Sequence, residues 1–130
     1  MMITGLHHIA IICSDYERSK DFYVRILGFE ILAEHFRAER NSYKLDLRHP
    51  SQVQVELFSF PNPPKRPTLP ESCGLRHLAF STADLDAAVA QLAVDGVVCE
   101  PIRVDAYTGK RFTFFADPDQ LPIELYEVTD

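Results

Sequence analysis

His8-Ile-Ala-Ile-Ile-Cys-Ser-Asp15 and His77-Leu-Ala-Phe-Ser-Thr-Ala-Asp84 follow one pattern. Each reads His, apolar, Ala, apolar, three residues, Asp, and the two stand 69 positions apart, since 77 − 8 and 84 − 15 agree. A helical stretch follows each Asp: Tyr16 to Leu27 before Gly28, and Leu85 to Asp95 before Gly96. Phe22, Tyr23, Ile26 and Leu27 form an apolar stripe in the first, and Leu85, Val89, Leu92 and Ala93 in the second. Asp15 and Asp84 suit N-caps, and the two glycines suit left-handed stops.

The ends of the two halves also match. Val53-Gln-Val-Glu-Leu-Phe58 resembles Leu121-Pro-Ile-Glu-Leu-Tyr126, with Glu56 and Glu124 separated by 68 positions (124 − 56). The one-residue difference fits the shorter step from helix to glycine in the second half. Each half therefore reads β-α-β-β-β. The intervening strands are predicted at 29–35 and 43–48, then 97–103 and 111–116. Asp117-Pro-Asp-Gln120 makes a turn before the last strand, and Arg48-His-Pro-Ser51 takes its place in the first half. The expected class is α+β, with two βαβββ modules. The whole chain, 1–130, is expected to be one domain, with modules at about 1–60 and 73–130 and a connector at about 61–72. Five prolines between Ser59 and Ser72 make that connector stiff and forbid helix or central strand.

Strand parity then sorts the side chains. Val53, Val55 and Leu57 share one face, and Gln54, Glu56 and Phe58 share the other. Ile123 and Leu125 oppose Glu124 and Tyr126; Ile9, Ile11 and Cys13 oppose His8, Ala10 and Ile12; Leu78 and Phe80 oppose His77, Ala79 and Ser81. The more apolar face must cover the helix. His8, Glu56, His77 and Glu124 are thus free to point away from it, with alanine two residues beyond each histidine leaving room. Two imidazoles and two carboxylates related by a repeat suit one divalent ion, Zn, Ni, Co, Mn or Fe(II). Four protein ligands leave an octahedral ion two positions for water or substrate, or one where a carboxylate binds through both oxygens. In the doublet His7-His8, only one residue faces any given pocket. His8 has the parity of Ala10 and a counterpart in His77; His7 corresponds to Arg76.

Bulk properties narrow the partners. Hydrophobic residues are 46% and charged residues 25% of the 130-residue chain, a normal globular balance. A net charge of −6 argues against nucleic acid as the main partner. No apolar run approaches a membrane span, and no secretory signal is evident. Cys13, Cys73 and Cys99 are odd in number and lack a CxxC pair, which argues against disulfides and thiolate zinc. The expectation is a cytoplasmic protein that binds a small molecule and no membrane.

Leu6-His-His-Ile-Ala, Arg18-Ser-Lys-Asp-Phe-Tyr23 with Leu27-Gly-Phe29, Gln54-Val-Glu-Leu57, Arg76-His-Leu-Ala79 and Asp117-Pro-Asp-Gln-Leu-Pro-Ile-Glu-Leu125 resemble the vicinal oxygen chelate superfamily over almost the whole chain. That superfamily includes glyoxalase I, methylmalonyl-CoA epimerase, extradiol dioxygenases and fosfomycin-resistance enzymes. The resemblance implies paired βαβββ modules closing around a metal, and it carries the ligands onto His8, Glu56, His77 and Glu124. The His/Glu/His/Glu set is most similar to glyoxalase I; the dioxygenases and fosfomycin enzymes usually show two His and one Glu. One departure is Gln120, where the family often has glycine.

The resemblance further implies a metal-dependent lyase or isomerase, of the lactoylglutathione lyase type, working through an enediolate. Glu124 would be the base and Glu56 the alternate. The competing expectations are an Fe(II)-dependent dioxygenase and a non-catalytic drug-binding or resistance protein. Arg103, Tyr107, Lys110 and Arg111, gathered in an otherwise acidic chain, are candidates to hold an anionic substrate. Arg37 and Arg40 make a weaker case. The repeat allows two modules to close a site within one chain or each chain to lend a module to a neighbour, and the expectation is a homodimer.

Overall fold

A computed structural model of the chain describes residues 1–129. The chain divides into two compact units, Met1–Pro64 and Lys65 onward. In the first unit, β1 (Ile9–Cys13) leads to α1 (Tyr16–Asp21), and then come β2 (Glu30–Arg37), β3 (Ser42–Arg48) and β4 (Gln54–Ser59). In the second, β5 (Leu78–Thr82) leads to α2 (Leu85–Val94), followed by β6 (Arg103–Val104), β7 (Arg111–Ala116) and β8 (Pro122–Glu127). Each unit is one four-stranded mixed sheet, ordered β1-β4-β3-β2 and β5-β8-β7-β6. In each, the first strand runs parallel to the last and the other pairs are antiparallel. The fold is thus α+β, two βαβββ modules, and neither sheet closes into a barrel.

The alternation read from sequence sets the core. Leu45, Leu47, Val55 and Leu57 are fully buried and face one another across β3 and β4, as Leu45↔Leu57 and Leu47↔Val55. Ile11, Cys13, Phe22, Tyr23 and Phe29 complete the first core, and Leu78, Leu85, Leu92, Phe115, Leu121 and Ile123 make the second. Each such aliphatic or aromatic side chain contributes about 1.5–3 kcal/mol by leaving water. Asp15 and Asp84 cap their helices, accepting from the backbone N–H of Arg18 at 3.2 Å and of Ala87 at 3.0 Å.

Three local details differ from the expectation. The first helix is regular only to Asp21; Phe22–Ile26 is a wider π turn, closed by Leu27 N–H donating to Phe22 C=O at 3.0 Å. The extra residue in the turn lets the adjacent Phe22 and Tyr23 both enter the core. In α2 the stripe is Leu85, Ala88, Val89 and Leu92, the i, i+3, i+4, i+7 spacing of one helical face, and Ala93 is exposed. The strand expected at 97–103 shrinks to Arg103–Val104. Glu100 N–H does donate to Phe114 C=O at 2.8 Å, but Pro101 has no N–H to continue the ladder.

The turn before the last strand repeats closely. Gln120 N–H donates to Asp117 C=O at 3.0 Å, and Gln52 N–H to His49 C=O at 2.8 Å. Gln120 has φ +68° and Gln52 φ +79°, so glutamine twice occupies a backbone region that favours glycine. The Asp117 carboxylate accepts from Asp119 N–H at 2.9 Å; the His49 ring Nδ1 does the same for Ser51 N–H at 3.1 Å.

Candidate metal centre

The sheets hold the four candidate ligands by register. Glu56 pairs with Ala10 across β1 and β4, and Glu124 pairs with Ala79 across β5 and β8. Each histidine lies just before the first residue of its strand, on the same face as that alanine. His8 Nδ1 stands 3.3 Å from Glu56 Oε2, and His77 Nε2 stands 3.5 Å from Glu124 Oε1. The carboxylates are the more shielded, 17% and 15% exposed against 37% and 25% for the imidazoles. Donors bound at ~2.1 Å to one ion, at right or tetrahedral angles, stand roughly 3.0–3.4 Å apart. Each pair therefore has close to the spacing of two ligands on one metal, and the imidazole–carboxylate chemistry fits a borderline divalent cation. Among the described residues, no three His, Cys, Asp or Glu side chains gather into a metal-holding group. The structure brings the candidates together two by two, one pair in each unit.

The two pairs differ in their surroundings. Across the first sheet, Asp46 lies opposite Glu56, and Lys44 Nζ reaches both, at 2.6 Å from Asp46 Oδ1 and 3.6 Å from Glu56 Oε1. The hydrogen bond to Asp46, with the charge of Glu56 behind it, raises the Lys44 pKa above the usual lysine value. Across the second sheet, Phe114 lies opposite Glu124 and packs edge-on against His77, ring centres 5.0 Å apart. Glu56 is thus braced by a cation, whereas Glu124 sits between an imidazole and an aromatic ring. His7 is exposed, but its Nδ1 lies 2.9 Å from His8 Nδ1.

The four residues expected to hold an anionic substrate separate in the structure. Arg103 lies over the rings of Phe112 and Phe114, at 5.0 and 5.7 Å, and shares a cavity of about 430 Å³ with His77. Tyr107 is 99% exposed at the tip of its turn. Lys110 reaches the backbone and hydroxyl of Thr129. The Arg111 guanidinium is paired with Asp86 and Glu127, at 2.8 and 3.1 Å, so its charge ties β7 to α2 and β8. In the first unit Arg37 stacks over Phe58 and Phe60, and Arg40 over Phe60.

The family model for the Glyoxalase/Bleomycin resistance protein/Dioxygenase superfamily matches residues 5–125. The chain belongs to this superfamily. The vicinal oxygen chelate fold thus accounts for the repeat that opens each module with histidine and ends it on glutamate. Over 127 residues the chain is 61% identical to YwkD of Bacillus subtilis (strain 168), spanning 98% of this chain and 99% of that one; YwkD is itself uncharacterised. It is 62% identical to the uncharacterised YaeR of Escherichia coli (strain K12), over 94% and 95% of the two chains. The crystal structure of a glyoxalase family protein from Enterococcus faecalis superposes with a TM-score of 0.91 at 48% identity, covering 98% and 100%. The superfamily's own description spans three kinds of activity, so membership leaves the reaction to be argued from the residues.

Lys44 and Asp46 beside Glu56, and the cavity around His77, were not singled out from sequence. Parity puts Lys44 and Asp46 on one face, but only the β3–β4 register sets them beside Glu56.

Proposed function

We propose that this superfamily member is a metal-dependent lyase or isomerase of the glyoxalase I type, acting on a small molecule with two adjacent oxygens. The observation that carries the reading is the pair of repeat-related His–Glu contacts, at 3.3 and 3.5 Å, which together supply two nitrogen and two carboxylate donors. His8, Glu56, His77 and Glu124 would hold the ion, Zn or Ni foremost. When bound, it would act as a Lewis acid on the substrate's carbonyl oxygen.

In this reading Glu124 takes a proton from the carbon beside that carbonyl and returns one to the neighbouring carbon, with no net redox change. Glu124 is the better base because Glu56 is braced by Lys44 as well as by His8. The chain works as one cytoplasmic domain of two modules, and as a homodimer.

The test is turnover of the methylglyoxal–glutathione hemithioacetal by protein loaded with Ni or Zn. Glu124→Gln should lower kcat by at least about a hundredfold, with bound metal measured alongside. Absence of turnover with every divalent ion tried would sink the lyase reading. Saturable capture of a small molecule without turnover would make the protein a binding module instead.

A further inference from the structure

The cavity of about 430 Å³ in the second unit carries three guanidinium groups, Arg66, Arg76 and Arg103, along with His77. We infer that it is an oxyanion subsite, built to hold a carboxylate or phosphoryl group on the substrate of the His77–Glu124 site. The inference rests on the metal-site reading for its location, and adds the class of substrate: a small molecule carrying an oxyanion group.

Three observations point the same way. The volume is that of a small-molecule site. Positive charge is concentrated there in a chain of net charge −6, and the acidic side chains of the lining hold their arginines weakly. Glu100 meets Arg103 at 3.2 Å and Glu71 meets Arg76 at 3.8 Å, all four side chains being more than half exposed. Exposed pairs of this kind are readily exchanged for a better anion. Arg66 is different. Its Nη2 donates to the backbone carbonyls of Leu75 and Arg76, which fixes the guanidinium against the chain leading to His77. Its Nε is buried and has no hydrogen-bond partner among the described residues. A guanidinium held this way keeps its planar fork of N–H donors in one orientation beside the cavity, and an oxyanion is the acceptor that such a fork suits best.

The placement also fits. Thr68 Oγ1 donates to Gln120 C=O at 2.8 Å, tying the proline-rich segment that carries Arg66 to the turn before β8. Arg103, lying over Phe114, reaches the cavity from the ring that flanks His77. Prolines 67 and 70 stiffen the segment around Arg66, so little ordering entropy is lost on binding.

The experiment is an NMR titration of the full-length protein, as isolated and after chelator treatment, with inorganic phosphate and separately with acetate. The arginine Nε–H resonances are followed. The Arg66 resonance should shift saturably with at least one anion, whether or not metal is present. Arg103→Ala should weaken that binding by about tenfold, and Arg66→Lys should retain a part of it. Arg25→Ala, in the first unit, should titrate like the wild type. Which anion binds tighter identifies the group. If neither anion moves the Arg66 resonance, if Arg103→Ala titrates unchanged, or if anions bind only to metal-loaded protein, the subsite is refuted. Because binding is read in metal-free protein, loss of the metal-site reading alone would leave a positive result standing.

Discussion

The doublet His7-His8 shows how much one residue's parity decides. The two imidazoles touch, Nδ1 to Nδ1 at 2.9 Å, so proximity alone does not separate them. What does is the strand: His8 shares the face of Ala10, which pairs with Glu56, and its Nδ1 lies 3.3 Å from the Glu56 carboxylate. His7 starts on the other parity. Under the proposed metal centre, His7→Ala should leave metal content unchanged, whereas His8→Ala should abolish stoichiometric metal, both read by elemental analysis of the purified protein. Loss of metal in His7→Ala would reverse the assignment. The parity of all four candidates was legible in the sequence because a strand has a period of two. Lys44 and Arg66 were not. Lys44 reaches Glu56 only through the pairing of Asp46 with Glu56, and Arg66 depends on where a proline-rich segment is tied down; periodicity encodes neither.

Among the elements, β3 and β4 followed the apolar alternation because burial dominates there, whereas β2 is exposed or half-buried along its length. Other departures arise where backbone chemistry overrides the pattern. Pro101 stops β6, and the need to bury both Phe22 and Tyr23 widens the end of the first helix. Gln52 and Gln120 take positive φ because the hydrogen-bonded turn demands it. The second unit's elements are further locked by Glu127. Its carboxylate accepts from the Arg111 guanidinium and from the backbone N–H of Leu85 at 3.0 Å, so that β8, β7 and the start of α2 meet on one group. Arg111 first, then Leu85, holds the Glu127 pKa below the usual carboxylate value. A depressed folded-state pKa means that its stabilisation is complete above the unfolded value of about 4.3 and drains away as pH falls through the lower folded one. Glu127→Gln should therefore lower Tm at pH 7 and flatten its fall on acidification, measured by thermal melts from pH 7 to 3. A parallel, undiminished acid fall in the variant would remove Glu127 from the account.

At the scale of the whole molecule, the repeat makes each unit half of something. Each sheet sets its helix and core on one side and leaves on the other a face with a single His–Glu pair; on the first, Ile12 is still 56% exposed. A lone four-stranded sheet with one open face seeks a second layer. In the proposed homodimer that layer comes from another module, and the donor set is complete only when a His8–Glu56 face meets a His77–Glu124 face. Where the two faces come from is open to a direct test. His8→Ala and His77→Ala chains, purified separately, should each fail to hold metal. Now let them be unfolded together and refolded as a mixture. If every site takes one pair from each of two chains, a mixed dimer has one site lacking both histidines and one with all four ligands intact. Half of all dimers from an equal mixture are mixed by random pairing, each with one intact site of two. Metal should then return to about a quarter of the wild-type content, with turnover in proportion. If both pairs of a site belong to the same chain, every site in the mixture keeps one lesion and nothing returns. Tagging the two chains differently and isolating the mixed dimer raises the expected recovery to one half, which distinguishes shared sites from poor refolding.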